Sequence, residues 1–307
     1  MAEAAGTVAL AAGEATAVVA LKGAEPLSWR VAGRELMWHA DPAHWDRSAP
    51  ILFPVVGASS AGVVRVDGTA YPMPQHGFAR DSLCEVVERG TGFVHLRLTD
   101  DAGTRAHYPF AFALGVRIAL TPDTLTLDFG VRNAGREALP YALGFHPAFA
   151  WPFDAPRRDA HAVVFEAREE PEVPLLTRDG LLARRTRRLS LDGKRLALAP
   201  ELFEKGALVF LDAASRTMRF VSPSGAAVAL AAEDFPHLAL WTKPTAPFLS
   251  LECWTGHADW EEATSDLRER ASIRLLPCGG LGRHRVTLSV RAKALPGSGD
   301  ASSAISD

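Results

Sequence analysis

The chain has 307 residues, 48% of them hydrophobic and 22% charged, with a net charge of −3. That balance supports a large buried core and excludes extended disorder in the body, while the lack of a Lys/Arg excess argues against phosphate-backbone binding, so no nucleic acid partner is expected. Length alone suggests two domains, but all-β sandwiches often exceed 200 residues as one unit.

At the N-terminus, "MAEAAGTVALAAGEATAVVAL" carries Glu3 where a signal peptide needs positive charge, and Glu14 interrupts its apolar run. No stretch approaches the ~20 apolar residues of a membrane-spanning helix. Cys84, Cys253 and Cys278 form no CxxC pair, and their odd number argues against a disulfide framework. The expectation is a cytoplasmic protein with no membrane partner.

Further along, apolar and polar residues alternate with period two between glycine-containing turns. "FVHLRLTD" and "RAHYPFAFALGVRIAL" predict a hairpin around Asp101 to Thr104 followed by a long strand, and "TLTLDFGVRN" predicts the next one. "ALVFLDAASRTMRFVSPSGAAVALAAED" predicts three short strands divided at Asp212 to Ser215 and Ser222 to Gly225, and "RHRVTLSVRAK" a late one. Helical signals are few: "SWRVAGRELMWHA" contains a glycine, and "DWEEATSDLRER" has room for about one turn. The reading is an all-β architecture of many antiparallel strands in one domain over residues 1–294. A Gly/Ser/Asp-rich tail at 295–307 is expected to be disordered. Proline and charge are dense from Arg157 to Pro200, making this the expected excursion from the main sheets. Its basic run, Ala183 to Arg195, lies near "EAREEPEVP" and reads first as a solvated hairpin, with a docking patch as the alternative.

Three stretches set an ionisable residue among aromatics or prolines: "PQHGFAR" with His76 and Arg80, "LGFHPAFAWP" with His146, and "PFLSLECWTGHADW" with Glu252. His146 fits a packed core histidine as well as a ligand-facing one, because aromatic faces beside a polar group are also how proteins hold sugars. Glu252 lies in a run apolar enough to be a buried strand, where an unpaired carboxylate costs several kcal/mol or takes up a proton. Strand alternation turns Cys253 to the opposite face, as a structural residue.

In "APILFPVVG", "HGFAR", "GFHPAF" and "ECW", taken in that order, the chain resembles the aldose 1-epimerase (galactose mutarotase) family from about Gly23 to about Val290. The resemblance implies an antiparallel β-supersandwich with its site on a concave sheet face. It implies His146 as general acid, Glu252 as general base and His76 as a substrate-orienting donor. Two features of galactose mutarotases lack counterparts: "WDRSAPILFP", with Asp46 and Arg47, stands where they carry an Asn-Arg pair, and Asp234 matches their substrate-binding aspartate in strand pattern only.

The implied chemistry opens a cyclic hemiacetal. A base takes the proton of the anomeric hydroxyl while an acid protonates the ring oxygen; rotation and reclosure with roles exchanged give the other anomer, with no cofactor or metal. Ordinary values of ~4.3 for Glu and ~6.5 for His suit the two roles, and a nearby carboxylate favours imidazolium. The two groups are expected to face each other across a pocket sized for one sugar ring. Arg80 would contact sugar oxygens, or the phosphate of a hexose 6-phosphate as in related glucose-6-phosphate 1-epimerases, or else pair with Asp81 or Glu85. A free aldose is the preferred substrate and the sugar phosphate the runner-up. Glycoside hydrolysis would need a second carboxylate from "AAED" or "GHADW". A non-catalytic sugar-binding protein and a metal site of His76, His146 and Glu252 rank lower.

Overall fold

The computed structural model describes residues 6–264 and 266–291. The expected tail at 295–307 lies outside the described residues. Within them, two antiparallel sheets make the frame.

The larger has ten strands among the described residues. At its centre Thr124–Asn133 pairs with Phe112–Leu120 on one side and Leu281–Arg291 on the other. Both Phe112–Leu120 and Thr124–Asn133 bury every second residue, as the sequence alternation predicts for strands with one face on a core. Ala227–Glu233, Thr217–Val221 and Ala162–Phe165 extend the sheet one way, Phe93–Thr99 and Glu85–Gly90 the other. The smaller sheet, of six strands among the described residues, runs Leu208–Phe210, His237–Trp241, Phe248–Trp254, Gly144–Phe145 and Ile51–Leu52 in order, with Ala148–Ala150 also paired to Phe248–Trp254.

Phe248–Trp254 is buried at all seven positions, so neither of its faces meets open solvent. Leu249, Leu251 and Cys253 enter the main core with Phe129, Phe145 and Val286. The alternate residues Phe248, Ser250, Glu252 and Trp254 point the other way, beneath a covering built from loops and a hairpin. That second face is where the polar residues of the strand lie.

The covering hairpin, Glu172–Leu176 with Leu182–Arg188, comes from the proline- and charge-rich excursion. The rest of that stretch returns to the large sheet through Ala162–Phe165 and Arg195–Ala197. Its arginines are largely engaged: Arg184 pairs with Glu262 at 2.7 Å and Arg188 with Glu172 at 3.4 Å. Arg187 donates to the carbonyls of Leu202 (2.8 Å), Gly206 (3.2 Å) and Ala207 (3.4 Å).

The hairpin predicted around Asp101 to Thr104 is present, Phe93–Thr99 pairing antiparallel with Phe112–Leu120, but its connection is longer than a turn and holds a helical turn, Ala102–Arg105, where Asp101 and Thr104 form a reciprocal capping box. The following strand begins only at Phe112, since Pro109 supplies no backbone N–H to a ladder. The stretch "SWRVAGRELMWHA" contains a hairpin, Pro26–Val31 with Arg34–Glu35, within a four-stranded N-terminal sheet. Near Asp266 there is a single 3-10 turn, Leu267–Glu269. No helix among the described residues is long and apolar enough to cross a membrane.

Candidate active site

Glu252 lies on the second face of Phe248–Trp254, 1% exposed. His146 follows Gly144–Phe145, the strand hydrogen-bonded alongside, and its backbone N–H donates to Pro50 O. These neighbours bring the two side chains together, with Nε2 of His146 3.1 Å from Oε1 of Glu252. The pair is in contact rather than spaced across a sugar ring, which corrects the expected geometry. Oε2 of Glu252 accepts from the indole Nε1 of Trp254 at 3.1 Å.

Burial controls the electrostatics of the pair. It pushes the Glu252 carboxyl well above the usual carboxylate range, against which the Trp254 bond pulls down. It pushes the His146 imidazole down to about 3, although its own backbone carbonyl favours the protonated form. Burial thus disfavours the charged form of each group and works against the carboxylate–imidazolium pair that the residue types alone suggest.

His76 sits in the left-handed region at φ 68, and Gly77 follows at φ 72. The loop holds this shape by several bonds: His76 N–H donates to Gly57 O at 2.9 Å, Phe53 N–H to His76 O at 3.2 Å, and Gly57 N–H to Nδ1 of the His76 ring at 3.1 Å. A Cβ on Gly77 would lie 2.2 Å from Phe53 O, so that position requires glycine. Because Nδ1 accepts a backbone N–H, the neutral ring carries its hydrogen on Nε2 and is a donor there. The ring is partly exposed and lines the cavity. Burial, with His146 and Arg80 as further contributors, keeps its proton affinity well below the imidazole range.

Arg80 donates to Gln75 O at 2.7 Å, and its Nε lies 3.8 Å from Asp81. Arg47 turns to Asp81 at 2.8 Å and to Arg80 O at 3.4 Å. Buried Glu25 accepts from the N–H groups of Ser48 and Ala49 at 2.7 and 2.9 Å, fixing the chain beside Arg47. Asp234 lies elsewhere, against Arg274 and His284.

Glu252, His146, His76 and Arg80 all line one cavity of about 360 Å³, within the range of small-molecule sites. The sequence reading missed most of its walls. Trp45 and Trp241 form an aromatic corner beside His146, with ring centroids 4.9 and 5.5 Å from the imidazole. Leu176, Leu182, Val209 and Ala258 supply an apolar wall, whose cluster Trp241 also packs against. Lys243 reaches the cavity while donating to His44 O. Among the described residues, no group of three or more His, Cys, Asp or Glu could hold a metal ion.

The geometry can be set beside that of known proteins. The chain is 30% identical over 263 residues to the LacX protein of Lactococcus lactis subsp. lactis, covering 80% of this chain and 86% of that one. It superposes on a galactose mutarotase-like protein from Lactobacillus casei ATCC 334 with a TM-score of 0.87 at 27% identity, covering 93% of this chain and all of that one. A galactose mutarotase-related enzyme from Lactobacillus acidophilus superposes with a TM-score of 0.85 at 26% identity, covering 94% and 98%. The family model for aldose 1-epimerase matches residues 6–262, and the chain belongs to the aldose 1-epimerase family.

Proposed function

We propose that the protein is an aldose 1-epimerase that interconverts the α and β anomers of a free aldohexose. The observation that carries this reading is the contact of Glu252 with His146, 3.1 Å apart, on the wall of a cavity that also presents aromatic faces. Ring opening requires a base at the anomeric hydroxyl and an acid at the ring oxygen. A net-neutral pair sharing one hydrogen offers both. Sugar oxygens entering the cavity would hydrogen-bond to the pair and favour its charge-separated form, carboxylate and imidazolium. Glu252 then takes the hydroxyl proton while His146 protonates the ring oxygen. After rotation about the bond beside the aldehyde, the roles exchange and the ring recloses. His76 Nε2–H and Arg80 orient the sugar, whose apolar face packs on Trp45 and Trp241.

Positioned proton-transfer groups typically contribute about a hundred- to ten-thousand-fold each. Exchange between the anomeric proton signals of glucose and galactose measures the rate directly. Glu252→Gln and His146→Ala are each expected to lower the enzymatic rate at least about a hundredfold with the fold intact. Full activity in both variants would remove the mechanism.

A second reading, a hexose 6-phosphate as substrate, draws on two cations, Arg80 and Lys243, at a cavity where burial disfavours the ionised form of Glu252. Their bonds to Gln75 O and His44 O already engage both, so the free aldose is preferred. The same assay with glucose 6-phosphate separates the readings: turnover confined to the phosphorylated sugar, with the preference lost in Arg80→Ala, would favour the second.

A further inference from the structure

Glu252 has one neighbour whose chemistry is one-directional. An indole N–H donates a hydrogen bond and cannot accept one. Trp254 gives its hydrogen to Oε2 at 3.1 Å, while Oε1 faces His146 Nε2 at the same distance.

We propose that Trp254 is a positioning residue: its N–H keeps Oε2 of Glu252 as an acceptor and so confines the carboxyl hydrogen to Oε1, on the line to His146. A hydrogen on Oε2 pointing at the indole would oppose another hydrogen, and a carboxyl turned the other way would leave His146 Nε2 without its partner. The one mobile proton of the pair thus has a single place to rest. The same bond favours the ionised form of Glu252 against burial, which makes the carboxylate available as a base.

The indole is itself held. Trp254 shares one face of Phe248–Trp254 with Glu252, is 6% exposed, and packs in one apolar cluster with Leu52, Val56, Ala142 and Leu182. Gly144 opens the slot beside it, since a Cβ there would lie 3.0 Å from Trp254 Cδ1. The chain just beyond is closed by Thr255 N–H to Leu143 O and Leu143 N–H to Thr255 Oγ1, both 2.8 Å.

This inference rests on the proposed function for its rate consequence but not for its placement of the proton. The test replaces Trp254 by benzothienylalanine, which keeps the bicyclic shape and lacks the N–H, with Trp254→Phe as a genetically encoded companion. In the resting protein, difference infrared spectra of ¹³C-labelled glutamate, assigned through Glu252→Gln, follow the Glu252 carboxyl with pH. Loss of one hydrogen bond to an ionised group is expected to move that titration up by about one pH unit or more. With glucose as substrate, kcat is expected to fall about tenfold or more while KM stays within about twofold. A carboxyl titration that does not move overturns the assignment, whatever the rate does. Absence of anomer exchange in the wild-type protein would defeat the functional reading alone, because the infrared titration still decides the role of Trp254.

Discussion

A single hydrogen between Glu252 and His146 has a kinetic signature. Burial delays a second protonation of the pair until the imidazole accepts a proton at about 3, and delays loss of its only proton until well above the usual carboxylate range. His76 is likewise held neutral by burial. The pH dependence of kcat/KM reports ionisations of the free enzyme. Its acidic limb is therefore expected to be missing at the ordinary imidazole value of ~6.5, with activity sustained down to about pH 4 once the buffer-catalysed rate is subtracted. An acidic limb near 6.5 that disappears in His146→Ala would show that the imidazole titrates freely and that desolvation does not govern the pair. The distinction was beyond the sequence: the types of Glu252 and His146 suggest carboxylate and imidazolium, and only their burial beside each other reverses the preference.

The elements that hold these residues were legible to different depths. Alternation along Thr124–Asn133 and Phe112–Leu120 is local, so the strands could be read directly from the chain. The order of strands around Phe248–Trp254 is not local. It joins residues from positions 51 to 254, which is why Trp45, Trp241 and Leu182 could not be assigned to one cavity beforehand. The same long-range joining makes two connectors critical. Gly57, at φ +74, carries the N–H that fixes the His76 ring, and a Cβ there would lie 2.5 Å from Ala258 Cβ. Gly57→Ala is expected to cut kcat/KM at least tenfold by displacing His76, measured by anomer exchange; an unaffected rate would mean that this clamp is dispensable. Beside it, Asp259 pairs with Arg270 at 2.9 Å, both side chains at least nine-tenths buried, and accepts from Ser60 N–H at 2.8 Å. The backbone of Asp259 also bonds to Ala58 O and to Leu182 N–H, so one residue joins the Gly57 loop to the covering hairpin. Removing one partner of a buried pair leaves the other charge uncompensated, a loss of about 3–5 kcal/mol. Urea unfolding of Asp259→Ala is expected to show a loss of that order, and a loss below about 1 kcal/mol would mean that water reaches Arg270.

Over the whole molecule, buried imidazoles tie folding to pH. His237 is 5% exposed, its Nδ1 accepts the N–H of Asp212, and burial pushes it down to about 4. His76, His146, His257 and His284 are lowered as well, each with burial as the leading cause. In the unfolded chain a histidine titrates near 6.5, so between about 4 and 6.5 the unfolded state binds more protons than the folded one. Stability then rises with pH across that window and is lost as pH falls, with His237 alone contributing about 3 kcal/mol over the full range. Buried Glu25 and Glu252 act in the opposite sense: their raised proton affinity makes the folded state bind more protons above ~4.5, which costs stability as pH rises. Five lowered imidazoles oppose two raised carboxyls over the same interval, so the histidines set the sign. The urea midpoint is expected to increase from pH 4.5 to 6.5, and His237→Gln, whose amide oxygen can still accept the Asp212 N–H, is expected to flatten that increase. A midpoint that instead declines over this interval would mean that Glu25 and Glu252 dominate, and that the imidazoles gain protons without the protein opening.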